Sequence, residues 1–249
     1  MSGRSHATLS RMAVTDEAIL KIKAMIMSGE LAPGHRLPPE KELSERLGLS
    51  RSSLREAVKA LEVIRVLDVR RGDGTYVTSL DPQRLLAPMG FVVDLQGESS
   101  ALSFHAVRRV LETEAAALAA ARITPEALAE ARRVLDGVDD VLAATPVDHE
   151  RFIEADIAFH RVVAEQAGNP VLAALVESLA SRTVRERLWR GLHEDGAEQR
   201  THDEHEAIWR ALADRDPERA RIRMANHLLG VEESLRGGTA IGDVPDGDA

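Results

Sequence analysis

Four side chains in the second half of the chain have the types and spacing to hold a divalent cation. Asp156 and His160 stand at i and i+4, so on a helix they point the same way. They share an apolar stripe with Ile153 and Val163. His205 falls in line with Ile208 and Leu212, and His227 with Ala220, Met224 and Val231. All four therefore face the interior of whatever these stretches pack into. One carboxylate and three imidazoles meeting there form a nitrogen/oxygen donor set for a divalent metal. The competing reading is that these histidines are hydrogen-bonded core residues, and spacing alone leaves both open. A buried carboxylate without a partner is costly, so Asp156 requires one in either case.

Arg108 is a second inward-facing polar group. It shares a stripe with Phe104, Leu111, Ala115 and Leu118. An inward guanidinium wants an anion and grips a carboxylate with two parallel hydrogen bonds. That partner is either a ligand or an acid of the chain itself, Glu112 or Asp156. His6, His35, His105, His149, His193 and His202 stand outside the donor set; Asp203 and Glu204 beside His202 suggest an exposed turn of helix.

A different chemistry is written between Arg36 and Val77. The string RLPPEKELSERLGLSRSSLREAVKALE implies two short helices around a tight turn at Gly48, and VIRVLDVRRGDGTYV implies a two-stranded hairpin. Leu43, Leu47, Leu49, Leu54, Val58 and Leu61 supply a small core. Ser50, Arg51, Ser52, Ser53 and Arg55 are left on the early turns of the second of these helices. Arginine contacts guanine O6 and N7 with two hydrogen bonds, while serine hydroxyls and helix N-terminal amides take phosphate. Lys41 on the preceding helix is placed for a backbone phosphate, and Gly72 at the hairpin tip permits close approach to a duplex. This is the outline of a winged helix-turn-helix.

The rest of the chain must position these two groups. Residues 1–12 are polar and unpatterned and read as a mobile leader. Helices are expected at 15–28, 40–47 and 51–64, the first capped by Thr15, with strands at 66–70 and 75–78. Six more helices are expected at 101–122, 125–143, 147–167, 170–191, 197–214 and 217–235. Thr124-Pro125, Asn169-Pro170 and Asp216-Pro217 each pair a cap with proline at the first helical position. The fold class is mainly α: an N-terminal winged helix-turn-helix with a small β-hairpin wing (13–79), a connector (80–99), an all-α antiparallel bundle (100–236) and a disordered tail (237–249).

Composition agrees with this division. The chain has 249 residues, 44% hydrophobic and only 3% aromatic, with no cysteine and hence no disulfide or thiolate metal site. Net charge is −9, yet residues 1–80 hold 13 Lys+Arg against 10 Asp+Glu, while residues 81–249 hold 19 against 31. Local balances of +3 and −12 put the basic portion on the duplex-reading segment. No apolar run is long enough for a bilayer, and no signal-peptide core is present, so a cytoplasmic location is expected.

The segment 13–79 resembles the N-terminal domain of GntR-type bacterial transcription regulators, on RLPPEKELSERLGLSRSSLREAVKALE and RRGDGTYV. The segment 100–236 resembles the helical FCD domain of the FadR subfamily, on EADIAFHRVVAEQAGNPVL, DEHEAIWRALADRDPERA and MANHLLG. The resemblance implies a homodimer on a palindromic operator, with Lys41, Arg51, Arg55 and Gly72 at DNA contacts. Lys41 stands where arginine is frequent, which keeps the charge but loses the planar fork. It also implies a metal (zinc, nickel or manganese) on Asp156, His160, His205 and His227. A small organic acid would be held there by Arg108, within the pattern RRVLETEAA. Asn169 would add a hydrogen bond, although the cap of the following helix is its simpler role. Acyl-CoA ligands are disfavoured, since members that bind them lack the quartet.

The expected function is therefore a ligand-responsive transcription regulator, most simply a repressor, and not an enzyme. A metal-dependent hydrolase and a DNA-binding protein with a purely structural bundle are the alternatives. The hydrolase reading leaves the duplex-reading segment unexplained and lacks a further general base on the interior stripe.

Overall fold

A computed structural model describes residues 3–95, 101–180, 191–192 and 194–241, with side chains described for 14–88, 102–179, 191–192 and 194–236. The chain divides into two compact units, Met1–Pro88 and Met89–Ala249.

The first unit begins with α1 (Gly3–Met27), which starts well before the expected cap at Thr15. Ala18, Ile22 and Met25 of α1 are buried. Next comes α2 (Glu40–Leu47), with Glu40 and Glu42 at its positive end and Arg46 in its last turn. Gly48 ends it in the left-handed region at φ 66°, where a residue without a Cβ is strongly favoured. The amides of Gly48 and Leu49 then satisfy the carbonyls of Glu45 and Ser44.

Ser50 opens α3 (Arg51–Val63), its hydroxyl accepting the Ser53 amide at 3.1 Å. The hairpin β1 (Leu67–Arg70) and β2 (Gly74–Val77) is antiparallel, with Leu67 opposite Val77 and Arg70 opposite Gly74. Arg36 bridges to Tyr76 outside the strands. Ile22, Leu31, Leu43, Leu54, Leu61, Leu67 and Val77 close the core, with Leu47, Leu49 and Val58 packed against it. The connector holds the helix that Asp81 and Pro82 announce, α4 (Pro82–Leu95); residues 96–99 of that segment lie outside the described residues.

Among the described residues the regular elements of the second unit are all helices: α5 (Ala101–Arg122), α6 (Pro125–Asp136), α7 (Asp139–Ala143), α8 (His149–Gln166), α9 (Pro170–Ala180), α10 (Ala197–Ala213) and α11 (Pro217–Ile241). Thr124, Asp148 and Asn169 cap α6, α8 and α9 through side-chain oxygens, and Asp216 does the same for α11.

The single helix expected over 125–143 is instead α6 and α7, broken at Gly137. Arg151 holds the break, donating 2.8 Å to the Gly137 carbonyl while pairing with Asp140. The helix expected over 170–191 is described as far as Ala180, and 181–190 lie outside the described residues. At the C-terminal end α11 runs on through Gly237 and Gly238 to Ile241 rather than stopping at 235; residues 242–249 of the expected tail lie outside the described residues.

The core is built on α5, α8, α10 and α11. Phe159, Ile208, Leu212, Met224 and Leu228 are fully buried there, surrounded by small alanines of α5. Alanine at 116, 119 and 120 lets the neighbouring helices come close to α5, and α5 and α11 make the most extensive pairing among the described residues. That close packing draws donors from α8, α10 and α11 into one volume.

Candidate metal centre and nucleic-acid interface

Asp156 and His160 come from α8, His205 from α10 and His227 from α11. One donor atom from each lies within 4.8 Å of all the others, and all four residues are buried. Asp156 Oδ1 stands 3.4 Å from His205 Nε2 and 3.8 Å from His160 Nε2. A tetrahedral ion about 2.1 Å from each donor sets the donors roughly 3.4 Å apart, so the quartet fits a divalent metal. The chemistry of the set fits as well, since three imidazoles and one carboxylate suit zinc, nickel or manganese.

The outer nitrogens are held in the manner of ligating histidines. Glu112 of α5 pairs with His160 Nδ1, leaving Nε2 for the centre. Glu204 Oε2 stands 2.8 Å from His227 Nδ1, with the same result. Such carboxylate partners fix the ring orientation and raise the basicity of the inner nitrogen. The His205 ring stacks on Phe159 at 4.6 Å between centroids.

Burial, with repulsion from His160 second, pushes the His227 pKa down from 6.5 to about 3. The ring is then neutral near pH 7, which is the ligating form. Burial pushes the Glu112 carboxyl up, but attraction and hydrogen bonds from Arg108 and His160 outweigh it and hold the group well below the ordinary carboxylate range.

Arg108 is 1% exposed, and its Nε donates to Glu112 Oε1 at 2.7 Å. Of the partners weighed from the sequence, the chain's own Glu112 is the one hydrogen-bonded to this nitrogen. Arg108 also lines a cavity of about 40 Å³ together with Asp156 and His227. Glu112 thus ties the arginine to the quartet, with Arg108 on one oxygen and His160 on the other.

Asn169 is placed differently from an effector contact. It is exposed, lies off the cavity, and its Oδ1 accepts the amides of Val171 and Leu172 as the cap of α9. His202, expected on an exposed turn, is 8% exposed and lines a second void of about 10 Å³ with Asp156 and His205. The stripe of α10 is wider than one histidine because Thr201 and His202 turn inward with His205.

Glu112 and Glu204 are the residues sequence reasoning passed over as parts of the centre. Glu112 carried a signal, since it stands at i+4 from Arg108 and shares its inward face. Glu204 carried none, because its role depends on how α10 meets α11.

In the first unit, Ser50, Arg51 and Ser52 are exposed at the start of α3, Lys41 is exposed on α2, and Gly72 is exposed at the hairpin tip with φ +75°. Ser53 departs from its expected place. It is 6% exposed, and its hydroxyl lies 2.9 Å from Ser50 Oγ, so it completes the helix cap instead of facing solvent. Arg55 is exposed but engaged, with Nε and Nη2 at 2.6 and 2.8 Å from the two oxygens of Glu40. The hydrogen bond from Arg55 holds the Glu40 carboxyl below its usual pKa.

Comparison with known proteins gives the same two-part division. Residues 14–77 match the gntR family of bacterial regulatory proteins, and residues 103–230 match the FCD domain. The chain is 32% identical to the HTH-type transcriptional regulator LutR of Bacillus subtilis (strain 168), over 86% of this chain and 97% of that protein. It is 30% identical to the galactonate operon transcriptional repressor of Escherichia coli (strain K12), over 83% of this chain and 90% of that one. Among solved structures, Streptococcus agalactiae GntR superposes with a TM-score of 0.67 at 26% identity, covering 88% of this chain and 99% of that one.

Proposed function

Since the chain belongs to the gntR family of bacterial regulatory proteins and carries an FCD domain, we propose that it is a transcription regulator whose DNA binding answers to a small organic acid held at a metal site in the helical unit. The relatives are transcription regulators, not enzymes, which removes the hydrolase alternative. The observation that carries the proposal is convergence: the buried side chains of Arg108, Asp156 and His227 line one cavity.

Asp156, His160, His205 and His227 would hold the ion. A divalent cation there would exceed the charge of Asp156 by one and so supply positive charge at the cavity wall. Arg108 adds a guanidinium whose own charge is balanced by Glu112. An acid entering the cavity meets that excess positive charge in a low-dielectric site, where attraction is strong. Arg108 orients it, since a guanidinium fork matches a carboxylate.

In the first unit, Arg51 and Arg55 contact bases, while Lys41, Ser50, Ser52 and the backbone at Gly72 take phosphate. Ser53 and Asn169 keep their capping roles. The regulator acts in the cytoplasm as a homodimer on a palindromic operator, and the acid favours one arrangement of the bundle over another. Among the described residues no helix is long and apolar enough to cross a membrane.

Thermal-shift screening of small organic acids, run on metal-loaded and on chelated protein, tests this reading. The expected result is stabilisation by a carboxylate that vanishes with chelation. Equal shifts in both samples, or no metal by elemental analysis of the purified protein, would leave the bundle a structural one.

A further inference from the structure

The cavity beside the quartet has a second polar wall that the proposed reading does not use. His149, Glu198 and Thr201 line it along with Arg108 and Asp156. Glu198 is 9% exposed on the first turn of α10, and its Oε1 lies 2.5 Å from Nδ1 of His149, which opens α8. Among the described residues His149 is the hydrogen-bond partner of that carboxylate. Gly191 backs the pair closely. A Cβ there would fall inside van der Waals contact of Glu198 Oε1 and 2.8 Å from His149 Nδ1, so the pair fills the space of a side chain. A buried carboxylate has thus been fixed in the wall of a cavity read as an anion site.

We propose that Glu198, held by His149 and backed by Gly191, selects which acid the cavity accepts by reading the end of the molecule distal to the carboxylate. It takes a hydrogen bond from a hydroxyl there and repels a second carboxylate. This rests on the reading of an acid at the metal end. A hydroxyl suits the wall better than an ammonium does. It donates to Glu198 without bringing another positive charge into a cavity that the excess charge of the proposed ion would already make positive. The cavity, at about 40 Å³, is small and suits a short hydroxy acid.

Isothermal titration of zinc-loaded full-length protein with four three-carbon acids that differ only at the distal carbon tests this. The four are propionate, 3-hydroxypropionate, malonate and β-alanine. The expected result is that 3-hydroxypropionate binds roughly tenfold tighter than propionate, with malonate and β-alanine weaker than the hydroxy acid. In Glu198→Gln, which keeps the shape and removes the charge, malonate should gain relative to propionate and the hydroxyl preference should shrink. Metal-dependent binding without a distal preference, or a malonate-to-propionate ratio unmoved by Glu198→Gln, would overturn the selector while leaving the acid site standing. Preference for β-alanine would overturn it in favour of an amino-acid reader. Binding of none of the four would remove both readings.

Discussion

His227 sets much of the pH behaviour of the metal-free protein. Its folded pKa is about 3 against 6.5 for a free imidazole. Between those values the unfolded chain binds the extra proton and the folded chain does not, so stability is full above about 6.5 and drains as pH falls toward 3. Glu112 acts in the same direction at lower pH, since its carboxyl is held below the ordinary 4.5 and its stabilisation is lost as it protonates. The thermal midpoint of chelated protein, followed from pH 7.5 down to 4, should therefore fall steadily. A flat profile would mean that His227 is not buried neutral.

Glu112→Gln tests a neighbouring claim. If the carboxylate orients His160, metal affinity should drop roughly 10–100-fold; unchanged affinity would reduce Glu112 to a partner of Arg108. At this scale the gathering of the quartet was legible in the sequence, because each of the four residues sits on the apolar stripe of its helix. His202 and Ser53 were not. Both look polar and solvent-facing by neighbourhood, yet Ser53 is bonded to Ser50 and His202 is buried where it lines the void beside Asp156.

Among the elements, α2, its glycine stop and α3 were the most legible. Gly48 at φ 66° does what the turn demands, and open space around it means that strain alone would penalise a side chain. Gly48→Ala should cost roughly 1–2 kcal/mol, seen as a lower unfolding midpoint of the first unit. No loss would mean the turn tolerates another conformation.

The exposed face of α3 carries a restraint that the sequence did not reveal. Glu40 of α2 occupies the fork of Arg55, and only the packing of α2 on α3 brings residues 15 apart in the chain together. Glu40→Gln should release that fork to its base, so operator affinity should rise while the slope of log affinity on log salt stays the same, because no phosphate contact is added. Weaker binding would show instead that Glu40 positions Arg55. Helix ends were less legible. Gly137 breaks 125–143 because Arg151 anchors the gap from another helix, and Gly237-Gly238 fails to stop α11.

Across the whole molecule, charge divides as function does, with the basic segment on the duplex-reading unit and the acidic excess on the bundle. That division, the mainly helical class and the two-part architecture were readable from patterning and punctuation. Which carboxylate backs which histidine was not, because helix neighbours in a bundle are fixed by packing among α5, α8, α10 and α11.

The central claim is a coupling between the metal-and-acid cavity and DNA affinity. A coupling of this kind amounts to about 5–150-fold. It is measured most directly by fluorescence anisotropy on a duplex the protein selects from a random pool. Operator affinity is titrated with and without 3-hydroxypropionate, on zinc-loaded protein, on chelated protein and on a variant carrying Asp156→Ala and His160→Ala together. At least a fivefold shift by the acid is expected in the zinc-loaded protein and none in the other two. An affinity that is the same in all three, with and without acid, would contradict it.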